Sequence, residues 1–325
     1  MKVIITGGAG FLGSRLAEDI LKKGSLTNSS GQLEIVEEII LSDLALPPSS
    51  IVANNKITFS NGDISDRQYI RKLLSHKNIS IFHLASIVSS GAEQNFDMAI
   101  KININGTLNL FEEARALNNI PKVIFTSSFA SYGGTMMQDI VNDSTKITPQ
   151  STYGMTKAAC ELFLSDYTRK GFIDGRGARL PTTIIRPGKP NKAASSFASG
   201  VLREPLNGEV CELPVPRSTS IAIGGYNDAI EGLIKLHEIE SIKLGDDRTI
   251  NFPNISVNIE EMIDTLISVT SENLLDKIID MPDNNIVNIC KTWPSTGKYD
   301  RALNLGLRKA SSLESIIKHY MSDYL

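Results

Sequence analysis

The sequence has little of what would tie it to a membrane, a nucleic acid or an oxidising compartment. Its three cysteines, Cys160, Cys211 and Cys290, are widely separated in 325 residues and lack metal-ligand spacing, so they read as reduced core thiols. No run approaches the ~18 apolar residues of a membrane span. The chain opens directly on Met1-Lys2-Val3-Ile4-Ile5, with no charged-then-apolar signal region, and a cytoplasmic protein is expected. There is no basic excess either: 33 Lys and Arg face 36 Asp and Glu, and no basic stripe carries interleaved aromatics. Nucleic acid is therefore not an expected partner, and a small molecule is. Internal repeats and low-complexity segments are absent. The length leaves room for one large or two modest domains without a disulfide or metal staple.

What is present starts with glycine in one place. Thr6-Gly7-Gly8-Ala9-Gly10-Phe11-Leu12-Gly13 follows the apolar run Val3-Ile4-Ile5 and precedes Leu16, Ile20 and Leu21 at helical spacing. The glycines thus sit at a strand-to-helix turn. Glycine admits positive φ and lets a phosphate approach, and the free N–H groups of a helix start face an anion. This describes a pyrophosphate cradle with Phe11 and Leu12 at its helix start, and the glycines satisfy both a Gly-x-Gly-x-x-Gly spacing (Gly8, Gly10, Gly13) and a wider Gly-x-x-Gly-x-x-Gly spacing (Gly7, Gly10, Gly13). Gly24 to Gln32 reads as a loop insertion, after which Glu38-Ile39-Ile40-Leu41-Ser42-Asp43 forms a second strand ending on a carboxylate. A carboxylate there accepts hydrogen bonds from an adenosine ribose and repels a 2′-phosphate, so Asp43 predicts NAD rather than NADP.

Further strands are expected at 57–60, with exit Gly62-Asp63-Ile64, at 80–86, at 121–128 and at 178–186, and another at 248–252. Helices are expected over 66–74, 95–118, 153–168 and 227–238, with amphipathic packing helices at 257–266 and 312–324. Asp63 is placed to meet an adenine amino group. His83, alone in an apolar strand, reads as a satisfied core residue rather than a catalyst. Tyr153 and Lys157, four apart on one helix, project from the same face. Alternating strands and helices predict an α/β, Rossmann-type doubly wound parallel sheet with a smaller, interleaved C-terminal substrate domain. The division expected is 1–187 with 225–253 for the nucleotide domain, and 188–224 with 254–325 for the substrate domain.

Taken together, the glycine turn, Gly62-Asp63-Ile64, His83-Leu84-Ala85, Asn103-Ile104-Asn105-Gly106-Thr107, Ser127 to Gly133, Tyr153-Gly154-Met155-Thr156-Lys157 and Arg186-Pro187-Gly188 resemble the extended short-chain dehydrogenase/reductase superfamily. Ser131 and Thr156 are mild departures from its usual residues. The resemblance implies Tyr153 as the proton-transfer group, Lys157 as its partner, Ser128 as the hydroxyl that orients substrate, with Ser127 as the alternative, and Asn103 as support for the helix near the lysine. It implies NAD lying along the glycine turn, with Asp43, Asp63, Ile64, Leu84, Ala85, Ser86 and Pro187 around it and Tyr153 and Lys157 at its nicotinamide end. Within the superfamily, Arg179 to Asn191 and Ala193 to Leu206 are similar to the D-erythronate dehydrogenase family. That likeness implies oxidation of the C2 hydroxyl of a four-carbon sugar acid with NAD, without a metal.

A carboxylate substrate calls for a guanidinium or another strong donor. Lys189, Arg203 and Arg217 are the candidate cations, with Ser195 and Ser196 as hydroxyl donors, and Arg217 is preferred because Pro214 and Pro216 would stiffen its loop. Two other readings compete: a nucleotide-sugar epimerase or dehydratase with tightly bound NAD, and a non-catalytic NAD-sensing protein. The helices around 97–117 and 153–168 resemble those that pair in dimers of the superfamily, so a homodimer is a further implication.

Overall fold

The computed structural model describes residues 1–117, 119–189 and 193–325. Asn118, the last residue of one expected helix, and Pro190-Asn191, in the stretch carrying the family likeness, fall outside them. Seven strands form one sheet: β1 (Lys2–Thr6), β2 (Glu38–Asp43), β3 (Ile57–Asn61), β4 (Ile79–His83), β5 (Lys122–Ser128), β6 (Asp174–Leu180) and β7 (Thr249–Asn251). Their spatial order is β7-β6-β5-β4-β1-β2-β3, and every pairing is parallel. The order reverses at β1, between β2 and β4, which is where an open α/β sheet presents its crevice. This is the doubly wound fold expected from the alternation of strand and helix patterns.

Parallel strands covered on both faces should be apolar throughout, and β1 obeys: Val3, Ile4 and Ile5 are wholly buried. One face packs on α1 (Phe11–Lys23) and α5 (Tyr226–Glu238) through Leu16, Ile20, Ile230 and Leu233; the other buries Ile4, Ile81 and Val123 with Leu110, Phe111 and Leu164. Each such aliphatic side chain contributes about 1.5–3 kcal/mol by leaving water.

A second core lies beyond the sheet's C-terminal edge. There Ile184, Phe197, Val201, Ile221, Met262, Ile263 and Ile317 come together from α4 (Ser196–Leu206), α6 (Ile259–Thr270), α7 (Leu313–Tyr324) and a three-stranded sheet of Thr182–Ile184, Ser220–Gly225 and Ile255–Asn258.

Three local expectations change. The strand expected over 178–186 is two strands broken at Pro181, whose ring cannot donate to a ladder: β6 stays in the large sheet, and Thr182–Ile184 pairs with Ser220–Gly225. The 24–32 loop contains part of an antiparallel hairpin, Ser25–Thr27 with Leu33–Ile35. The helix expected over 95–118 is interrupted, because Ile100–Gly106 widens into a π-helix between Phe96–Ala99 and α2 (Thr107–Arg115). No helix among the described residues is long and apolar enough to cross a membrane.

Candidate active site

A cavity of about 290 Å³ opens at the C-terminal edge of the sheet, between the glycine turn and the second core. Its walls include Gly7, Gly10, Phe11, Leu12 and Gly13 on one side, Thr182, Thr183, Arg186, Ser195, Trp293 and Pro294 on the other, and Ser127, Ser128 and Tyr153 between them.

The turn fits a dinucleotide phosphate on its own geometry. Gly7 has φ +70°, and a Cβ there would come within 2.8 Å of the Ala85 nitrogen. Any side chain at Gly13 would overlap the Gly7 carbonyl. α1 therefore begins against the turn with no capping side chain and no acidic residue in its first turn, leaving its N–H groups free for an anion. Asp43 ends β2 beside the turn, where its carboxylate accepts from the backbone nitrogens of Ala9 and Ala45, both at 3.1 Å. Leu84 and Ser86 line the cavity, and Ala85 stands behind Gly7. Asp63, held by the Ser65 nitrogen at 2.8 Å and 3.8 Å from Lys101, lies past β3 and outside the cavity walls, as do Ile64 and Pro187.

α3 (Thr152–Arg169) carries Tyr153 and Lys157, and Ser151 caps it by accepting from the Gly154 nitrogen. Enclosure raises the Tyr153 phenol above its ordinary value; hydrogen bonds with Ser128 and Ser86 and the charge of Arg186 oppose that rise. Lys157 is buried behind the cavity wall, where burial pushes its ammonium down to about 8. It donates to the Thr126 carbonyl at 2.8 Å and lies 5.6 Å from the centroid of the Tyr153 ring. The Arg186 guanidinium is a cation whose charge opposes the rise of the phenol.

Asn103 protrudes from the π-helical turn, a common device at functional sites. Its amide exchanges hydrogen bonds with both backbone groups of Ile87, at 2.8 and 3.1 Å, and donates to Thr156 Oγ1 at 3.0 Å. It thereby ties the loop after β4 to α3 one residue before Lys157. His83 is a core residue: its ring nitrogens meet Thr6 Oγ1 at 2.6 Å and Thr107 Oγ1 at 2.9 Å, and burial pushes it down to about 3.

The two adjacent serines separate. Ser127 is buried and its hydroxyl bonds to the Glu161 carboxylate, whereas Ser128 is only half-buried, accepts from the Ala130 nitrogen at 3.1 Å and faces the phenol.

The cations nominated for the substrate do not converge. Arg203 is buried, pairs with Glu204 at 2.5 Å and donates to the Arg186 carbonyl at 2.7 Å. Arg217 is turned outward to Asp280 at 3.1 Å and Glu260 at 3.6 Å, so its proline-stiffened loop serves a surface ion pair. Lys189 is exposed, and of Ser195 and Ser196 only Ser195 reaches the cavity. Among the described residues, the cation that does reach it is Arg186, which in the sequence stands only as part of the Arg186-Pro187-Gly188 motif. Among the described residues its guanidinium has no hydrogen-bond or ion-pair partner; only its backbone is engaged, by Ser199 and Arg203. A cue was present in the sequence, because Arg186 directly follows the β-branched run Thr182 to Ile185. Trp293 carried no such cue.

The family model described as GDP-mannose 4,6 dehydratase matches residues 4–174. A D-erythronate dehydrogenase of Cupriavidus necator is 40% identical over 99% of this chain and 98% of its own length. Another, from Haemophilus influenzae, is 40% identical over 99% of both. The crystal structure of a nucleoside-diphosphate-sugar epimerase from Agrobacterium tumefaciens is 38% identical, superposes with a TM-score of 0.91, and is matched over 100% of this chain and 94% of that one. With its Rossmann sheet and glycine cradle, the chain belongs to the D-erythronate dehydrogenase family, within the epimerase/dehydratase-like branch of the extended short-chain dehydrogenases, and is a nicotinamide-dependent dehydrogenase.

Proposed function

We propose that the protein oxidises the C2 hydroxyl of a four-carbon sugar acid, D-erythronate to 2-oxo-D-erythronate, with NAD as acceptor. The observation that carries this reading is the guanidinium of Arg186, without a partner among the described residues, in the same cavity as Tyr153. A planar guanidinium binds a carboxylate through two parallel hydrogen bonds, which fixes the orientation of the acid as well as its position. Arg186 is also the one cationic side chain among the described cavity walls, which suits a single carboxylate better than the diphosphate of a nucleotide sugar.

In this reading Tyr153 takes the proton of the C2 hydroxyl, and Ser128 hydrogen-bonds the same oxygen. Arg186 serves twice: it holds the carboxylate next to C2 and favours the phenolate against the cost of enclosure. Thr182, Ser195 and Ser89 lie in the wall where the distal hydroxyls of a four-carbon acid need partners. The glycine turn, Leu84 and Ser86 would hold the dinucleotide, and Lys157 would approach its nicotinamide ribose. When bound, the nicotinamide accepts the hydrogen and two electrons that leave C2. Asp43, followed by Leu44-Ala45-Leu46-Pro47 with no basic residue, supports NAD over NADP.

The test is a panel of four-carbon sugar acids and nucleotide sugars offered with NAD+ and with NADP+, followed by the absorbance of reduced nicotinamide. Net NADH with D-erythronate, and none with a nucleotide sugar, is expected. No reduced cofactor with any 2-hydroxy acid overturns the reading.

A further inference from the structure

A buried ion pair sits immediately behind the reacting groups. Glu161, one helical turn after Lys157 on α3, is 3% exposed, and Arg179 on β6 is 4% exposed. The Arg179 guanidinium donates to the Glu161 carboxylate from Nε at 3.0 Å and from Nη2 at 2.6 Å. Removing two charges from water costs several kcal/mol per ion, and apolar residues of similar volume are often at least as stable. Stability alone is therefore a weak reason for this pair, and its remaining hydrogen bonds show what else it holds.

Those bonds converge on one segment. The Glu161 carboxylate accepts from the hydroxyls of Ser127 and of Ser131, the latter at 3.4 Å. Arg179 Nη1 donates to the Tyr132 hydroxyl at 3.0 Å, and that hydroxyl donates to Asn251 Oδ1 at 2.8 Å. Residues 127, 131 and 132 are thus each held by the pair, and Ser128 stands between the grips with its hydroxyl toward Tyr153. A second contact brings the same helix against the same segment, since any side chain at Gly154 would overlap the Ala130 carbonyl. α3 consequently holds the end of β5 at several points while carrying Tyr153 itself: Lys157 on the Thr126 carbonyl, Glu161 on Ser127 and Ser131, and Gly154 against Ala130.

We propose that Glu161, with Arg179, is a positioning residue that fixes the Ser128 hydroxyl relative to the Tyr153 phenol by gripping Ser127 and Ser131 on either side of it. Ser127 is then the handle by which the catalytic segment is held, not a substrate ligand. A loose hydroxyl matters because a misplacement of about 1 Å at a reacting centre costs on the order of 10²-fold in rate. The inference rests on the reading of Tyr153 and Ser128 as the proton-handling groups.

The test compares Ser127→Ala, the double variant Glu161→Leu with Arg179→Met, and the double variant Glu161→Gln with Arg179→Met. Both double variants remove the acid and its arginine together, so neither half of that pair is stranded, and the glutamine restores an acceptor oxygen for Ser127. For the leucine variant, kcat should fall about 30- to 100-fold while KM for the sugar acid and cofactor affinity change less than about threefold. The rising limb of its pH–rate profile should move to higher pH, because the phenol loses part of its hydrogen bond from Ser128. The glutamine variant should recover about tenfold of the lost rate, and Ser127→Ala should lose about tenfold with little change in Tm. A folded leucine variant with kcat within threefold of the parent overturns the proposal. Should that variant fail to fold, Ser127→Ala decides, and an unchanged kcat there overturns it equally. Failure of the underlying reading has another signature: Tyr153→Phe would then keep its turnover.

Discussion

The two edges of the large sheet differ in one cation: both hold buried ion pairs, but only the C-terminal edge, among the described residues, also leaves an arginine open to a cavity. At the N-terminal edge, Asp174 pairs with both Arg176 and Arg248 at 2.7 Å. Arg176 also donates to the Leu236 carbonyl at 2.8 Å and Lys122 to the His237 carbonyl at 3.0 Å, covering the end of α5 where cations favour the helix dipole. His237 bridges Glu238 at 2.8 Å and Ser80 at 2.9 Å, and Lys122 and Glu238 together hold the Ser25–Thr27 hairpin strand. All of these cations and the histidine are buried and satisfied. At the C-terminal edge, Arg186 and Tyr153 face a cavity, and the guanidinium has no partner among the described residues. A buried charge with all its bonds made holds a structure together; one left open toward a cavity is available to a ligand. The contrast separates arginines that are fully bonded from one left open, without reference to any relative.

The open edge should show the steepest loss. Tyr153→Phe should lower kcat by about 10³-fold or more, the upper part of the range for a lost general base, with cofactor affinity changed less than about threefold, measured by steady-state kinetics and NADH titration. Next come paired substitutions, one at each edge. Arg186→Leu should lower kcat/KM for a sugar acid by about 10²-fold with Tm nearly unchanged. Arg248→Met should leave kcat/KM intact and cost about 3–5 kcal/mol in denaturant unfolding, because it strands part of the Asp174 charge in the interior. If both variants lost catalysis alone, or both lost stability alone, the contrast between the edges would not hold.

A smaller effect is a shift in pH dependence. Arg186 favours the Tyr153 phenolate, so its removal should move the rising limb of kcat to higher pH in a profile taken with saturating substrate. The smallest concerns the closed edge. Burial pushes His237 from 6.5 down to about 4, so the unfolded chain binds more protons between these values. That contribution to stability is fully present above about pH 6.5 and is lost as pH falls toward 4. Tm should accordingly drop across this interval, and a flat Tm from pH 7 to 4 would contradict it. His83, pushed down to about 3, acts in the same direction.

The elements that were legible in the sequence are those whose physics is local. The glycine turn declares itself because only glycine tolerates the Gly7 backbone and the close packing at Gly13. The helix carrying Tyr153 and Lys157 extends one residue beyond the expected 153–168 at each end, and its Ser151 cap follows local rules. What misled was also local. A run such as Ala178 to Arg186 has strand chemistry throughout, and the Pro181 break sends its two halves into different sheets. Pro214 and Pro216 bear on the rigidity of the Arg217 loop but not on its direction, which Asp280 on a distant strand decides.

The parallel α/β sheet, the glycine turn, the Tyr153–Lys157 spacing and the family can all be read from the chain alone, because hydrophobic period, backbone permissiveness and short-range spacing are written along it. Folding settles which arginine stays open among the described residues, which serine Glu161 holds and which faces the phenol, and that the π-helical turn directs Asn103 toward α3. These depend on partners such as Glu161, Arg179 and Arg203, brought together across the sheet from distant positions, and a charge is spoken for or free only once the chain has folded around it.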